Sequence, residues 1–134
     1  MGRKWVIVVG AAALSSMIAL LQIDPMRWSL PTRYLFSPLD IYRSGAKDFT
    51  MCMKVPLTKV EAREFVRDRF DEDERIPREI SVTEARCPAQ FWPSDFHQSV
   101  LGFRQEIEEP GGYVGYSAGA VFQDGHLYFW AWEM

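Results

Sequence analysis

Residues 5–23, from Trp5 to Ile23, carry no charge, hold Gln22 as their one strongly polar side chain, and follow Arg3 and Lys4 directly. As a helix rising about 1.5 Å per residue the run is roughly 28 Å long, close to the hydrocarbon thickness of a bilayer. A basic flank before an apolar run fits a cleaved signal peptide or a retained anchor better than a buried helix of a soluble domain. Cleavage needs small residues just after the run, where Leu20, Leu21, Gln22, Ile23, Asp24 and Pro25 stand instead. The better pair, Ala13 and Ser15, would cut the run in half. The run therefore reads as a single transmembrane signal-anchor over residues 1–23; cleavage would instead release a secreted periplasmic form.

Charge alone orients such an anchor poorly, since Arg27 and Arg33 lie soon after its far end and nearly balance Arg3 and Lys4 before it. The cysteines decide the question. Cys52 and Cys87 are the only two in the chain, an even count that suits one disulfide in an oxidising compartment, against two buried reduced thiols in a cytosolic one. The N-terminus is thus expected inside and residues 24–134 outside, which predicts a bacterial inner-membrane protein with a periplasmic domain. The absence of Asn and the excess of 11 Arg over 4 Lys agree with a GC-rich bacterial genome. A bridge closing 36 residues contributes about 4 kcal/mol in the chain-entropy model, which matters for a domain this small. With a net charge of −3 and no basic cluster, the chain lacks the signature of a nucleic-acid partner or of an anionic-surface binder.

Three prolines among the aromatics of residues 24–46 disfavour one continuous helix and suggest a proline-rich extended arm packed on the domain. Within it, Ser37, Pro38 and Gly45 have the order of an N-cap, first helical residue and C-terminal cap of a short helix. Residues 48–55 alternate, with Phe49, Met51, Met53 and Val55 on one face and Asp48, Thr50, Cys52 and Lys54 on the other. This is a half-buried strand, from which a disulfide at Cys52 would pin a later segment across the outer face. Thr58 and Glu61 form a capping box, and Ala62, Phe65, Val66 and Phe70 recur at helical spacing. That helix is expected to end in the acidic stretch 71–74, with a short strand near Ile80 and Val82. Strands are expected over 98–107, 113–122 and 126–133, the last two joined by the hairpin turn Asp124-Gly125. The prediction for residues 47–134 is an α+β domain, one main helix on a mostly antiparallel sheet that ends in a β-meander.

Gly115-Tyr116-Ser117-Ala118-Gly119 reads G-x-S-x-G and resembles the nucleophile elbow of α/β-hydrolases; with Ala120 it is similar to that of patatin-like lipases. The resemblance spans six residues. An elbow needs a strand, a sharp turn and a helix, whereas here the pattern continues as strand. Small residues in a strand also let a bulky neighbour approach closely. His97 and His126, each preceded at two residues by Asp95 and Asp124, have the order of a base with an orienting carboxylate or of a metal pair, but lack metal-ligand spacing. The acidic run 71–74 fails the calcium-loop pattern at Ile76 and Val82. Ala11, Ser15 and Ala19 place a small-residue face on the anchor, of the kind used in helix pairing. No catalytic residue, metal ligand or cofactor is assigned.

The final strand breaks the rule that one face of an antiparallel strand is polar: Leu127, Phe129 and Ala131 alternate with Tyr128, Trp130 and Trp132. Either it is central and covered on both sides, by the arm and by the segment tethered at Cys87, or one aromatic face meets a partner. Trp92, Phe96, Tyr128, Trp130 and Trp132 are the candidate contact residues. The expected function is a membrane-tethered, periplasmic, non-catalytic protein-binding domain, as a subunit of an envelope complex or an inhibitor or immunity-type protein. The alternatives are a module binding cell-wall glycan on the aromatic strand, and third a small serine hydrolase using Ser117.

Overall fold

In the computed structural model of the protein, residues 25–45, 49–70, 85, 87–98, 100–108, 111 and 113–133 are described. The chain divides into two units, which meet at Ser37 and Pro38.

The described part of the first unit is turned rather than extended. Pro25–Ser29 and Thr32–Tyr34 are short 3-10 helices. The expectation of an extended arm misses the Arg27 side chain, whose Nη1 donates to the carbonyls of Tyr34 and Ser37 at 2.6 Å each. Those two bonds fold the segment back on itself. Among the described residues no helix is long and apolar enough to cross a membrane, and the run 5–23 lies outside them.

The second unit opens with β1 (Asp40–Ser44), where a short helix was expected. The Ser37 hydroxyl does not cap forward; it donates back to the carbonyl of Arg33 at 2.6 Å. Ile41 and Tyr42, both strand formers, then pair antiparallel with Met53 and Cys52 of β2 (Thr50–Pro56). Gly45 follows at φ +82°, ending the strand in a conformation that costs glycine little. α1 (Lys59–Arg69) starts where the capping box puts it, with Glu61 N–H donating to Thr58 Oγ1 at 3.2 Å and Thr58 N–H to Glu61 Oε2 at 2.9 Å.

β3 (Val100–Glu108), β4 (Tyr113–Gln123) and β5 (His126–Glu133) form the expected meander. Asp124 and Gly125 both have positive φ, 51° and 72°, the backbone of a type I′ turn whose twist matches the flanking strands. β5 then inserts beside β2, giving an antiparallel sheet in the order β1-β2-β5-β4-β3. Among the described residues the domain is thus α+β, one α-helix on a five-stranded antiparallel sheet. The strand expected near Ile80–Val82 lies outside the described residues. The helix was expected to run into the acidic stretch 71–74 but already ends at Arg69, because Phe70 turns extended at φ −123°, ψ 133° and packs toward the sheet beside Phe129.

Both faces of the sheet are covered. On one, Met51, Met53 and Val55 of β2 stand with Leu127 and Phe129 of β5. α1 lies over them, and Phe65 meets Phe129 edge to face at 5.6 Å between ring centres. Gly102 of β3 lets the helix close: a Cβ there would sit 2.7 Å from Phe70 and 2.8 Å from Val66. The other face carries Cys52 and Trp130, directly opposite one another across β2 and β5, and both have zero exposure. Cys52 points away from the helix as its parity requires, yet lies in a second core. The Cys52–Cys87 disulfide holds residues 87–97 over it.

Candidate functional site

The second core is built around Trp130. Its strand is central, so backbone pairing to β2 and β4 holds it on both sides, and the indole lies across Gly119, its direct partner on β4. A Cβ at Gly119 would come within 2.1 Å of Trp130 Cζ2, so only glycine leaves the ring its place. Gly119 is the second glycine of the G-x-S-x-G string. The motif serves as a floor of small residues beneath an indole.

The cover is a loop of aromatics and prolines. Trp92 stands edge-on to Trp130, Tyr128 and Phe96, with ring centres 6.5, 5.6 and 5.6 Å away. Phe96 stacks on Trp130 at 28° and meets Tyr128 edge to face. Such tilted geometries set ring edges against ring faces and add to the area buried. Three ties fix the loop: the disulfide, Trp92 Nε1–H donating to the Ala85 carbonyl at 2.8 Å, and His97 N–H donating to the Gln123 side-chain carbonyl at 2.7 Å. Gln123 is itself 6% exposed, so the last bond also satisfies a buried amide on β4.

The five aromatic candidates therefore divide. Trp130 is inaccessible and Tyr128 is 7% exposed, while Trp92, Phe96 and Trp132 are half-buried. Within the loop itself opens a mainly apolar cavity of about 350 Å³, lined by Ala85, Cys87, Pro88, Trp92, Pro93 and Phe96, with Ser94 and Asp95 at its polar side. Burial satisfies Trp130 apolarly but not polarly: its Nε1–H and the Ser117 hydroxyl, both fully buried, have no hydrogen-bond partner among the described residues. Each such orphan costs about 1–3 kcal/mol.

The candidates for chemistry are not assembled. Ser117 lies in the middle of β4, opposite Trp132 and without exposure, rather than at a turn into a helix. Six residues of strand, about 20 Å, separate it from Gln123, beside which both histidines sit: His126 as its strand partner and His97 through the bond just described. His126 Nδ1 lies 2.8 Å from the backbone carbonyl of Asp124, not from its carboxylate, and His97 and Asp95 are 3.8 Å apart on an exposed loop. No group of three metal-ligating side chains occurs among the described residues. The expectation that the small residues of the motif let a bulky neighbour approach closely holds at Gly119, and Trp130 is that neighbour. Sequence reasoning passed over Gln123, which carries no local signal. The chain matches no known family model, no curated protein and no solved structure.

Proposed function

We propose that the chain is a membrane-tethered periplasmic domain that binds another protein without catalysis, as an envelope-complex subunit or an inhibitor or immunity-type protein. The contact surface in this reading is the disulfide-held loop 87–97 rather than the aromatic strand beneath it. One observation carries it: an apolar cavity bordered by the half-buried rings of Trp92 and Phe96 on a loop fixed at three points. A preformed apolar cavity of this kind takes a partner's side chain with little ordering cost. The membrane and its orientation rest on the uncharged run 5–23, the even cysteine count and the disulfide. A glycan platform of Tyr128, Trp130 and Trp132 draws less support, because the loop already occupies the Trp130 face.

The test places a photo-reactive phenylalanine analogue at Ser94 in cells, with a second at Glu64 on the exposed side of α1. A discrete protein adduct from position 94, absent from 64 and abolished by Pro93→Glu at unchanged melting temperature, is the expected result. Absence of any adduct from positions 90, 94 and 95 overturns the loop as a contact surface. Alkaline phosphatase fused after residue 40 should be active, and inactivity overturns the periplasmic placement.

A further inference from the structure

The segment 25–37 has more order than a tether needs. Backbone bonds close its two 3-10 turns, Leu30 to Arg27, Tyr34 to Pro31 and Leu35 to Thr32, at 2.9–3.1 Å. The Arg27 guanidinium then locks the ends together through the Tyr34 and Ser37 carbonyls. Against this, Trp28 is 59% and Phe36 76% exposed. Single exposed apolar residues are ordinary. Here the described residues show three large ones, Trp28, Phe36 and Val60, and two fall within this one small element.

Its place in the chain supplies the occupant. Trp28 stands five residues beyond Ile23, where the uncharged run ends. Even fully extended, five residues span at most about 17 Å, and from Pro25 to Ser29 the chain is wound as a 3-10 helix rising about 2 Å per residue, so Trp28 stands near a headgroup layer some 5–8 Å deep. Phe36 stands thirteen residues beyond Ile23 and would be remote on an extended arm. The Arg27 lock removes that distance, because the carbonyls on either side of Phe36 lie within one arginine side chain of residue 27. Arg33 stacks 4.8 Å over the Tyr34 ring and so helps to hold the turned segment together.

We infer that residues 25–37 form an Arg27-locked collar that seats Trp28 and Phe36 in the interfacial layer of the bilayer from which the domain hangs. The inference rests on the membrane-tethered reading above. Trp at the headgroup level is the usual interfacial anchor, its ring apolar and its N–H hydrated. The collar gives the tether a second point of attachment and so fixes the rotation of the first unit about the anchor.

The test uses the full chain in vesicles of phosphatidylethanolamine and phosphatidylglycerol, with an environment-sensitive fluorophore on one introduced cysteine at a time. The positions are Trp28→Cys, Phe36→Cys, Glu64→Cys as an exposed control and Leu14→Cys within the run. Probes at 28 and 36 should emit to the blue of the probe at 64 and be quenched by lipid spin-labelled near the headgroup. Adding Arg27→Gln should return the probe at 36 to water while leaving 28 quenched. Probes at 28 and 36 as hydrated as 64, with 14 quenched by chain-end spin label, overturn the collar and leave the anchor standing. Probes shielded from iodide yet not quenched by lipid assign the surface to protein and overturn it too. A chain that does not float with vesicles, with 14 unquenched, overturns the tethered reading itself.

Discussion

Replacing Gly119 by alanine adds one methyl group and should be among the most damaging small changes in the domain. The new Cβ would meet Trp130 at 2.1 Å from Cζ2, 2.4 Å from Cη2 and 2.8 Å from Cε2. Carbon atoms rest about 3.5–4.0 Å apart, so the indole must retreat by at least about 1.4 Å. It has no room to do so, because Trp92 and Phe96 pack against it from the loop and the ring has no exposed edge. Overpacking of a rigid group costs about 1–3 kcal/mol, and a forced off-rotamer indole about 0.5–1.5 kcal/mol more. Removing a strand glycine returns about 0.5–1 kcal/mol. The net expectation is a loss of about 2 kcal/mol, a fall of roughly 8–16 °C in Tm for a domain of this size. Urea unfolding with the disulfide intact measures it. Trp130→Phe should relieve the clash by vacating the atoms that Cβ meets. The double variant should then be at least about 1 kcal/mol more stable than the sum of the singles predicts. A neutral or stabilising Gly119→Ala, or strict additivity with Trp130→Phe, refutes the floor-and-indole account.

Replacing Cys52 and Cys87 together by alanine should cost up to about 4 kcal/mol and shift tryptophan emission to the red as the loop lifts; thiol labelling of the unfolded, unreduced wild type should find none. Ser117→Ala removes a buried hydroxyl without a partner, so chemical denaturation should show stability unchanged or raised by about 1 kcal/mol, with cross-linking from position 94 intact. Labelling of wild type, and not of Ser117→Ala, by a serine-reactive phosphonate overturns the non-catalytic reading. Burial raises the Tyr116 phenol above its ordinary 10.0, against the opposing pull of Arg104 and Arg69. The folded state then keeps a proton that the unfolded chain loses, so this contribution is whole below about pH 10 and falls away as pH climbs through the raised value. Melting temperatures above pH 10 should therefore decline less steeply in Tyr116→Phe than in wild type.

Local chemistry made much of this fold legible before any coordinates. Thr58 and Glu61 set the start of α1 through two side-chain bonds within a few residues of each other. Asp124-Gly125 set the register of β4 on β5, and with it the pairing of Gly119 with Trp130. The doubly apolar pattern of β5 left two readings, a central strand covered on both sides or an aromatic face that meets a partner, and β5 is central with Trp130 fully covered. What failed was read from signals that tertiary contacts redirect. Ser37 has the chemistry of a cap, but its hydroxyl turns back to Arg33, and Ile41 and Tyr42 join a sheet whose partner lies beyond the next turn. The three-proline arm was expected to extend because nothing local announces that Arg27 reaches the carbonyls of Tyr34 and Ser37. The loop over Trp130 was least legible. One of its ties joins His97 to Gln123 across 26 residues, and no periodicity marks such a bond.

The position of β5 also governs the order in which the sheet can come into being. Its partners on β2 lie 70 to 82 residues earlier, from Pro56 with His126 to Thr50 with Trp132. Until β5 is in place, β1 with β2 and β3 with β4 are two separate ribbons, each with an unsatisfied inner edge and neither stable alone. Assembly must close that long loop before its pairing is rewarded, which slows folding. It also leaves two sticky edges open meanwhile. β5 is made after the four strands that it unites and is the keystone between the halves, so a nascent domain lacking it is a substrate for chaperones rather than a smaller version of the fold.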